Sequence, residues 1–248
     1  MTMSSQKKGK LIVIGGNDGT GKNTQTRLLV ERINNRVKTK KPKAHFFTFP
    51  DYEQYWGIKV NEYLGRGPGV MPEEVASDPY QAAMLYALDR RMIAQNKIIP
   101  LLDSGNICCC DRYMESNLAH QTVKLVDPIQ RSKFLDSQHF VEFEHFGIPK
   151  PDLVLILTLD PEVRRAQTEA RRQKWLEENP NSDKAGQVGA FDRHEQNLEY
   201  MEAVNAFYPE LAAKYKWPVI NCSRGGSQLS REEISELIWQ HVEPILSA

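Results

Sequence analysis

The chain carries Gly16-Asn17-Asp18-Gly19-Thr20-Gly21-Lys22-Asn23-Thr24 directly after the apolar run 11–14. Apolar residues at positions 28, 29 and 33 follow with helical spacing. Gly19 and Gly21 let the backbone turn so that its N–H groups face one centre, and Lys22 adds positive charge at the helix N-terminus. Residues 16–24 are therefore predicted to bind the phosphates of a nucleotide. A glycine-rich surface turn is the alternative.

Asn23 departs from the usual pattern of such a loop. Ser or Thr at this position normally offers a hydroxyl to magnesium. Thr24 is the next residue, but one step along a helix rotates a side chain by about 100°. The sequence therefore leaves open whether Thr24 takes over this role.

The overall composition is that of a soluble globular protein. Of the 248 residues, 40% are hydrophobic and 26% are charged, and 32 basic side chains balance 32 acidic ones. Zero net charge argues against a nucleic-acid partner or an anionic membrane surface, since both attract an excess of Lys and Arg. The polar start of the chain and its short apolar runs predict neither a signal peptide nor a membrane span. A cytoplasmic location is expected.

Three of the four cysteines are consecutive, at 108–110. Adjacent residues on an extended strand point to opposite faces and cannot build a disulfide framework. The tripeptide also lacks the paired Cys and His spacing of a zinc site. Buried strand cysteines in a reducing compartment are therefore expected.

Short β-rich runs alternate with longer helical patterns. The predicted strands are Leu11–Ile14, Ala44–Phe49, Ile107–Cys110, Leu153–Leu159 and, less strongly, Val219–Cys222. The predicted helices are Lys22–Val37, Pro79–Ile99, Met114–Val126, Ser132–Phe146, Pro161–Glu178, Arg193–Tyr215 and Ser230–Leu246. Most strands lack polar alternation, as strands buried on both faces do. An α/β fold with a parallel sheet covered by helices on both sides follows.

One composition shift interrupts this alternation. Residues 177–190, EENPNSDKAGQVGA, are polar and rich in helix breakers, and they lie between two helical patterns. This favours a flexible flap over a linker between domains. The chain is predicted to form a single domain, 1–248, with a mobile lid insertion at about 164–192.

Several further motifs occur in the order and spacing of one known family. They are Phe49-Pro50, Leu85-Tyr86-Ala87-Leu88-Asp89-Arg90, Asp111-Arg112-Tyr113 with Ser116, Asn117, Ala119, His120 and Gln121, Pro149-Lys150-Pro151-Asp152, Leu159-Asp160-Pro161 and Asp192-Arg193-x-Glu195. Over roughly residues 10–246 the chain resembles the thymidylate kinases. The resemblance implies a three-layer P-loop kinase fold with a five-stranded parallel sheet, and transfer of the γ-phosphoryl group of ATP to dTMP. It also implies that residues 16–24 bind ATP, that Mg²⁺ is the cofactor, and that the chain forms a homodimer.

Tyr86 and Arg90 are four residues apart on a predicted helix and share one face. There an aromatic ring can stack on a base while a guanidinium donates to a base carbonyl. By resemblance, that carbonyl belongs to thymine. The alternative is a tyrosine packed in the core and an arginine paired with a carboxylate.

The resemblance assigns the other acceptor contacts. The residues it implies for dTMP binding are Phe49, Pro50, Tyr52, Tyr86, Arg90, Arg112, Ser116, Asn117, His120 and Gln121. Arg112 and Tyr52 are expected at the acceptor phosphate, and Asp18 near the 3′ hydroxyl. His120 takes the place of an aromatic residue beside the sugar 2′ position, where a ring would crowd a ribose hydroxyl; an ordinary structural histidine is the alternative.

Asp51 is a second departure, because relatives commonly have Arg at this position. A carboxylate near the expected phosphate site predicts weaker acceptor binding. A nucleoside acceptor has a neutral hydroxyl and requires a base, so Asp51 also keeps a nucleoside kinase open.

The charge near the transferring phosphoryl group is expected from the lid, since Gly19 and Thr20 carry none. The lid region contains Arg164, Arg165, Arg171, Arg172 and Arg193, and the alternative is a solvated basic helix face. The predicted catalytic residues are Lys22, Arg112, Asp18 and Arg193. The candidate Mg²⁺ ligands are Asp111 and Glu195.

Two rival functions remain at this point. One is a kinase for another nucleotide or for a nucleoside. The other is a nucleotide-binding protein with impaired catalysis, which Asn23 and Asp51 together motivate.

Overall fold

A parallel five-stranded sheet forms the centre of the molecule. The computed structural model describes residues 9–37, 43–66, 69, 71–178, 194 and 197–247. The strands are β1 Lys10–Gly16, β2 Ala44–Thr48, β3 Ile107–Asp111, β4 Leu153–Thr158 and β5 Val219–Asn221. Their order is β2-β3-β1-β4-β5, and every neighbouring pair is parallel. The predicted α/β class and its parallel sheet are confirmed.

Both faces of the sheet are buried, which explains the lack of polar alternation. Successive residues of β3 alternate between two apolar clusters: Cys108 and Cys110 pack in one, and Cys109 in the other. All four cysteines are free and buried, as expected. Burial raises the pKa of the Cys108 thiol to about 12, so that this thiol stays protonated and unreactive at neutral pH.

Helices cover the two faces. The described α-helices are α1 Lys22–Val37, α2 Tyr55–Tyr63, α3 Glu73–Ser77, α4 Pro79–Ile93, α5 Ile99–Asp103, α6 Met114–Thr122, α7 Pro128–His139, α8 Pro161–Glu178, α9 Leu198–Tyr215 and α10 Arg231–Ser247. Helices α1 and α10 pack on the cluster that contains Cys109, whereas α4, α6 and α9 pack on the opposite cluster. These three layers bring the carboxyl ends of β1, β3 and β4 to one edge, where ligands of open α/β sheets bind.

Most predicted helices are present, with shifted ends. Helices α1 and α8 have the predicted bounds, and α10 begins and ends one residue later than predicted. Helix α7 begins at Pro128 rather than Ser132, because the Asp127 side chain accepts a hydrogen bond from the backbone N–H of Ile129 and caps it. Helix α6 ends at Thr122 rather than Val126. Helix α9 is described from Leu198, and the predicted start at Arg193 lies outside the described residues.

Two helices continue beyond their α-helical part in π-helical geometry. Residues Ala94–Ile98 join α4 to α5, so the predicted helix Pro79–Ile99 in fact extends to Asp103. Residues Phe140–His145 extend α7. π-Helical turns are rare and occur often at functional sites.

Helices α2 and α3 were not predicted. Helix α2 contains Gly57, a poor helix former, but any Cβ there would lie 1.9 Å from the carbonyl oxygen of Asp51. Glycine therefore allows α2 to pack against the loop after β2. A short hairpin, β6 Ser223–Arg224 and β7 Ser227–Gln228, follows β5.

In the part of the chain that the structure describes, no helix combines the length and apolar character that membrane crossing requires.

Candidate active site

The phosphate loop connects β1 to α1. Gly19 and Gly21 have positive φ angles of 83° and 81°, which favour glycine. Gly16 also has a positive φ, and a Cβ there would lie 2.0 Å from the carbonyl oxygen of Leu157 on β4. Glycine at these positions therefore gives the loop its shape and lets it approach the neighbouring strand.

Lys22 is buried at the first turn of α1. Its Nζ donates to the backbone oxygen of Asn17 at 2.7 Å and lies 3.4 Å from Oδ1 of Asp18. Burial and the nearby Arg112 lower the Lys22 pKa to about 8, while Asp18 acts in the opposite direction. The ammonium group is thus held inside the loop, where phosphate oxygens would meet it.

Asn23 connects α1 to the end of β3. Its Nδ2 donates to Oδ2 of Asp111 at 2.9 Å, and its Oδ1 accepts from Nε of Arg27 at 3.0 Å. Thr48 Oγ1 lies 3.3 Å from the same Asp111 oxygen. Thr24 is exposed and has no described contact with Asp111. The amide of Asn23 therefore orients Asp111.

Arg112 follows β3 in a conformation that is uncommon for a non-glycine residue. Its φ is 65°, and its backbone N–H donates to the carbonyl oxygen of Ile14 on β1 at 3.0 Å. Its guanidinium pairs with Asp18 and donates to Oγ of Ser116 at 3.3 Å. Backbone strain of this kind, which costs about 1–3 kcal/mol, concentrates at functional sites.

Asp18 lies between two cations. Burial alone would raise the pKa of this carboxyl, but Arg112 and Lys22 hold it well below its usual value. Asp18 is thus ionised across the physiological range and ties the phosphate loop to the strand end that carries Arg112.

A cavity opens beside this ion pair. It is lined by Asp18, Phe49, Pro50, Tyr52, Leu64, Arg66, Tyr86, Arg90, Arg112, Tyr113, Ser116, Asn117, His120, His194 and Met201. The structure thus brings together every residue that the resemblance implied for acceptor binding except Gln121. Gln121 lies one turn after Asn117 on α6 and is fully buried, away from the cavity lining.

Arg90 is both paired and part of the cavity wall. Its Nε donates to Oε2 of Glu142 at 2.6 Å, its Nη2 donates to Oε1 of Glu142, and its Nη1 donates to the Tyr113 carbonyl oxygen at 3.2 Å. Asn117 donates from Nδ2 to the carbonyl oxygen of Ala83 at 3.2 Å. These donor contacts fix the orientation of the Asn117 amide and leave its buried Oδ1 without a hydrogen-bond partner among the described residues.

His120 also lines the cavity. Its ring stacks on His194 with centroids 5.3 Å apart, and its Nδ1 lies 3.2 Å from the hydroxyl of Tyr200. Burial and the cation of Arg112 lower the His120 pKa to about 3. The ring is therefore neutral at physiological pH and is not a proton carrier there.

Asp51 lies near a lysine and is not among the residues that line the acceptor cavity. Its Oδ2 lies 3.7 Å from Nζ of Lys97, and its Oδ1 accepts from the backbone N–H of Glu53 at 3.3 Å. The described lining of the cavity includes Tyr52 but not Asp51. The expectation that this carboxylate weakens acceptor binding stays a prediction.

A second, larger cavity lies between the phosphate loop, α8 and α9. Its lining includes Asp18 and Gly19 together with Arg164, Arg165, Arg171 and Arg172 of α8. Arg164 donates to Glu202 of α9 at 2.6 Å, and Arg165 donates to the same carboxylate at 3.1 Å. Arg193 lies outside the described residues. A basic helix face thus borders the donor side of the loop.

Asp111 fits a role in holding Mg²⁺. Its Oδ1 is buried and has no hydrogen-bond partner among the described residues, while Oδ2 is held by Asn23. Among those residues, no three acidic, His or Cys side chains cluster as a metal cage. Mg²⁺ bound through nucleotide phosphates needs only one or two carboxylates, so a single carboxylate at this point suffices. Glu195, the other candidate, lies outside the described residues.

Several residues at the site were not predicted from the sequence. Arg66, Tyr113 and Met201 line the acceptor cavity, and Glu142 holds Arg90 from 52 positions away. Arg66 carried a signal, since a basic residue flanked by Gly65 and Gly67 is typical of a ligand loop. Glu142 carried none, because one carboxylate in a helical pattern is ordinarily exposed.

A glycine loop with a buried lysine, set at the carboxyl edge of a parallel sheet beside an arginine-bearing cavity, defines a P-loop phosphotransferase. The family model for thymidylate kinase matches residues 14–234. The chain therefore belongs to the thymidylate kinase family.

Relatives and solved structures agree with this assignment. The thymidylate kinase of Schizosaccharomyces pombe is 30% identical over 201 residues, which cover 80% of this chain and 85% of the relative. A probable thymidylate kinase of Pyrobaculum aerophilum is 27% identical over 227 residues, covering 92% and 95%. The solved thymidylate kinase of Candida albicans has the same fold, with a TM-score of 0.65, 22% identity and coverage of 96% of this chain and 92% of that one.

Proposed function

We propose that the protein transfers the γ-phosphoryl group of ATP to dTMP, giving ADP and dTDP for dTTP synthesis. One observation carries this proposal: Asp18 contacts both Lys22 and Arg112 and lines both cavities. The donor loop and the acceptor cavity therefore share a wall, which is the arrangement that direct transfer between two nucleotides needs.

The polar groups of the acceptor cavity match one edge of thymine. Arg90 can only donate hydrogen bonds, whereas the buried Oδ1 of Asn117 can only accept them. Thymine and uracil present a carbonyl beside an N–H, so they satisfy both groups. Cytosine presents an amino group beside an unprotonated nitrogen and would leave both unpaired, which is costly in a buried site.

The remaining cavity residues suit a deoxynucleotide monophosphate. Tyr86, which lines the cavity and contacts Tyr63 edge-on at 5.9 Å between ring centroids, would stack on the base. His120 would crowd a ribose 2′ hydroxyl, and Asp18 would accept from the 3′ hydroxyl. Arg112 and Tyr52 would hold the acceptor phosphate.

Transfer to this acceptor requires alignment and charge stabilisation rather than a base. A phosphate monoester has its second pKa near 6 and is largely a dianion at neutral pH. Lys22 would hold β- and γ-phosphate oxygens, and Arg112 would direct the acceptor phosphate toward them. Arginines of α8, or Arg193, would meet the charge that develops on the transferring group.

Asp111, with Glu195 as a second candidate, would hold Mg²⁺ in this site. When bound, Mg²⁺ neutralises charge on the donor phosphates. Asn23 keeps Asp111 in place by its hydrogen bond, so this chain orients the carboxylate with an amide.

We also propose the domain organisation, location and oligomeric state of the protein. The whole chain would form one domain with a lid at about 164–192, located in the cytoplasm. A homodimer is supported by exposed apolar residues: Tyr80 and Met84 on α4, Val126 just before α7, and Ile129 in the first turn of α7. Light scattering of the purified protein tests the dimer: the mass of two chains is expected, and Ile129→Asp should reduce it to that of one.

An ADP-release assay with five acceptors tests the proposed function. We expect turnover with dTMP, slower turnover with dUMP, and at least about 100-fold lower kcat/KM with dCMP and dGMP. Preferential turnover of thymidine would favour a nucleoside kinase. Tight ATP binding without turnover of any acceptor would instead indicate a binding protein.

A further inference from the structure

Glu142 is a buried carboxylate that the phosphoryl-transfer mechanism does not use. It lies in the π-helical segment Phe140–His145 and is fully inaccessible to solvent. Its two oxygens accept from Nε and Nη2 of Arg90, and Oε1 also lies 3.4 Å from Nδ2 of Asn117. One carboxylate thus contacts both Arg90 and Asn117, which line the acceptor cavity.

The contacts of Glu142 determine which N–H groups of Arg90 remain available to a ligand. A guanidinium has five N–H groups. Two of them go to Glu142 and one to the carbonyl oxygen of Tyr113. The bidentate geometry fixes the plane of the guanidinium and leaves one N–H on each terminal nitrogen for a ligand.

The same carboxylate fixes the Asn117 amide. Both groups near Asn117 Nδ2, the Ala83 carbonyl oxygen and the Glu142 carboxylate, are acceptors. An acceptor on this side requires the amide to present Nδ2 there and therefore Oδ1 on the other. The orientation of the Asn117 amide therefore follows from the Ala83 carbonyl oxygen and Glu142 together.

We propose that Glu142 is a positioning residue that sets the base selectivity of the acceptor cavity, making it select a pyrimidine with a carbonyl beside an N–H. This inference rests on the proposed function, in that the cavity is taken to bind the acceptor base. Glu142 does not touch the base; it acts through Arg90 and Asn117. A purely structural role, in which Glu142 only neutralises the buried Arg90, predicts a loss of stability without a change in selectivity.

Glu142→Gln tests this distinction. The substitution keeps the size of the side chain but replaces one acceptor oxygen with an N–H₂ donor, which cannot face both Arg90 and Asn117 as the carboxylate does. The matched control is Glu144→Gln. Glu144 lies in the same π-helical segment as Glu142, but its carboxylate is exposed and pairs with Lys150 at 2.7 Å. Calorimetric titration measures the Kd values of dTMP, dCMP and ATP, so that no reading depends on turnover.

In Glu142→Gln we expect the Kd for dTMP to rise by at least about tenfold, the scale of a lost charge-assisted hydrogen bond in a buried site. The preference for dTMP over dCMP should fall by a similar factor, with the Kd for ATP within about twofold of wild type. Glu144→Gln should match wild type in all three constants. An unchanged preference in a folded Glu142→Gln protein would overturn the proposal.

Two further outcomes are separable. If Glu142→Gln does not fold, Glu142→Asp retains the charge but withdraws it by one methylene; it should still lower the dTMP preference, and wild-type selectivity there would contradict the proposal. If wild type itself binds neither dTMP nor dCMP, the proposed function fails before any variant is compared. Selective binding by wild type that persists in the variants refutes only the role of Glu142.

Discussion

Nδ2 of Asn23 donates a hydrogen bond to Oδ2 of Asp111 at 2.9 Å, joining the phosphate loop to the strand end that carries the proposed Mg²⁺ ligand. Ser or Thr normally occupies this loop position and offers its hydroxyl to the metal. In this chain the residue contacts the carboxylate instead. The metal should therefore depend on how well Asp111 is oriented.

Asn23→Ser should strengthen Mg²⁺ use, because it supplies the missing hydroxyl. We expect the Mg²⁺ concentration for half-maximal rate at saturating ATP to fall by about tenfold, within the range for a changed metal contact. Asn23→Ala is the matched control, since it removes the amide without adding a hydroxyl. Equal Mg²⁺ dependence in the two variants would show that position 23 does not serve the metal.

Lys22→Ala and Arg112→Ala should each lower kcat by about two orders of magnitude or more, the scale for losing a preorganised charge-stabilising group. Lys150→Ala and Arg36→Ala remove cations outside the two cavities and should leave kcat near wild type. Steady-state ADP release measures all four, with thermal unfolding to verify the fold. A near-wild-type kcat for either site variant would remove that residue from the mechanism.

Arg171→Ala or Arg172→Ala should lower kcat by at least about tenfold, because the loop residues Gly19 and Thr20 supply no charge to the transferring group. Both arginines line the donor-side cavity on α8. Lys174→Ala, on the same helix but 74% exposed and next to Glu178, is the control. If both arginine variants keep the wild-type kcat, the charge must come from elsewhere, with Arg193 as the remaining candidate.

Asp89 gives a pH-dependent prediction. Burial raises its pKa from 3.8 to about 6 in the folded protein. The hydrogen bond that Asp89 accepts from the backbone N–H of Asp51 and the nearby charge of Arg90 act in the opposite direction. The folded state therefore binds the proton more tightly than the unfolded state, and stability falls as pH rises from about 4 through 6. Above pH 6 the free energy of unfolding has fallen by its full amount, on the order of 3 kcal/mol, relative to low pH.

Asp89→Asn mimics the protonated form and should be free of this loss. Relative to wild type, the variant should gain stability progressively between pH 4 and 7, measured as the free energy of unfolding in denaturant titrations. Asp103→Asn removes an exposed carboxylate for comparison. A difference between Asp89→Asn and wild type that stays constant across this range would refute the buried-carboxyl explanation.

The sheet could be predicted because its signals are local. Most of the five apolar runs lack polar alternation, and they alternate with helical patterns, which is typical of strands buried on both faces. Helix α2 could not be predicted, because Gly57 lowers the helix propensity of this segment. The glycine allows close packing against the Asp51 carbonyl oxygen, and this is a contact of the tertiary structure. The π-helical segments likewise have no local sequence signal.

The candidate site was predictable where motifs carry the chemistry. The phosphate loop and the residues around Arg112 have fixed spacing, so their positions follow from the sequence. Asp51 lies near Lys97, and Arg90 pairs with Glu142. Contacts between residues so far apart in the sequence follow only from the tertiary structure. Arg90 pairs with a carboxylate, as the alternative interpretation of its spacing held, and it also lines the cavity.

Direct transfer between ATP and dTMP is the central claim, and labelled phosphate tests it most directly. The protein is incubated with ATP labelled at the γ-phosphorus and, in separate reactions, with dTMP or with thymidine, and the labelled products are separated. We expect labelled dTDP in a one-to-one ratio with ADP. Labelled inorganic phosphate in place of dTDP, or label that enters thymidine but not dTMP, would contradict the account.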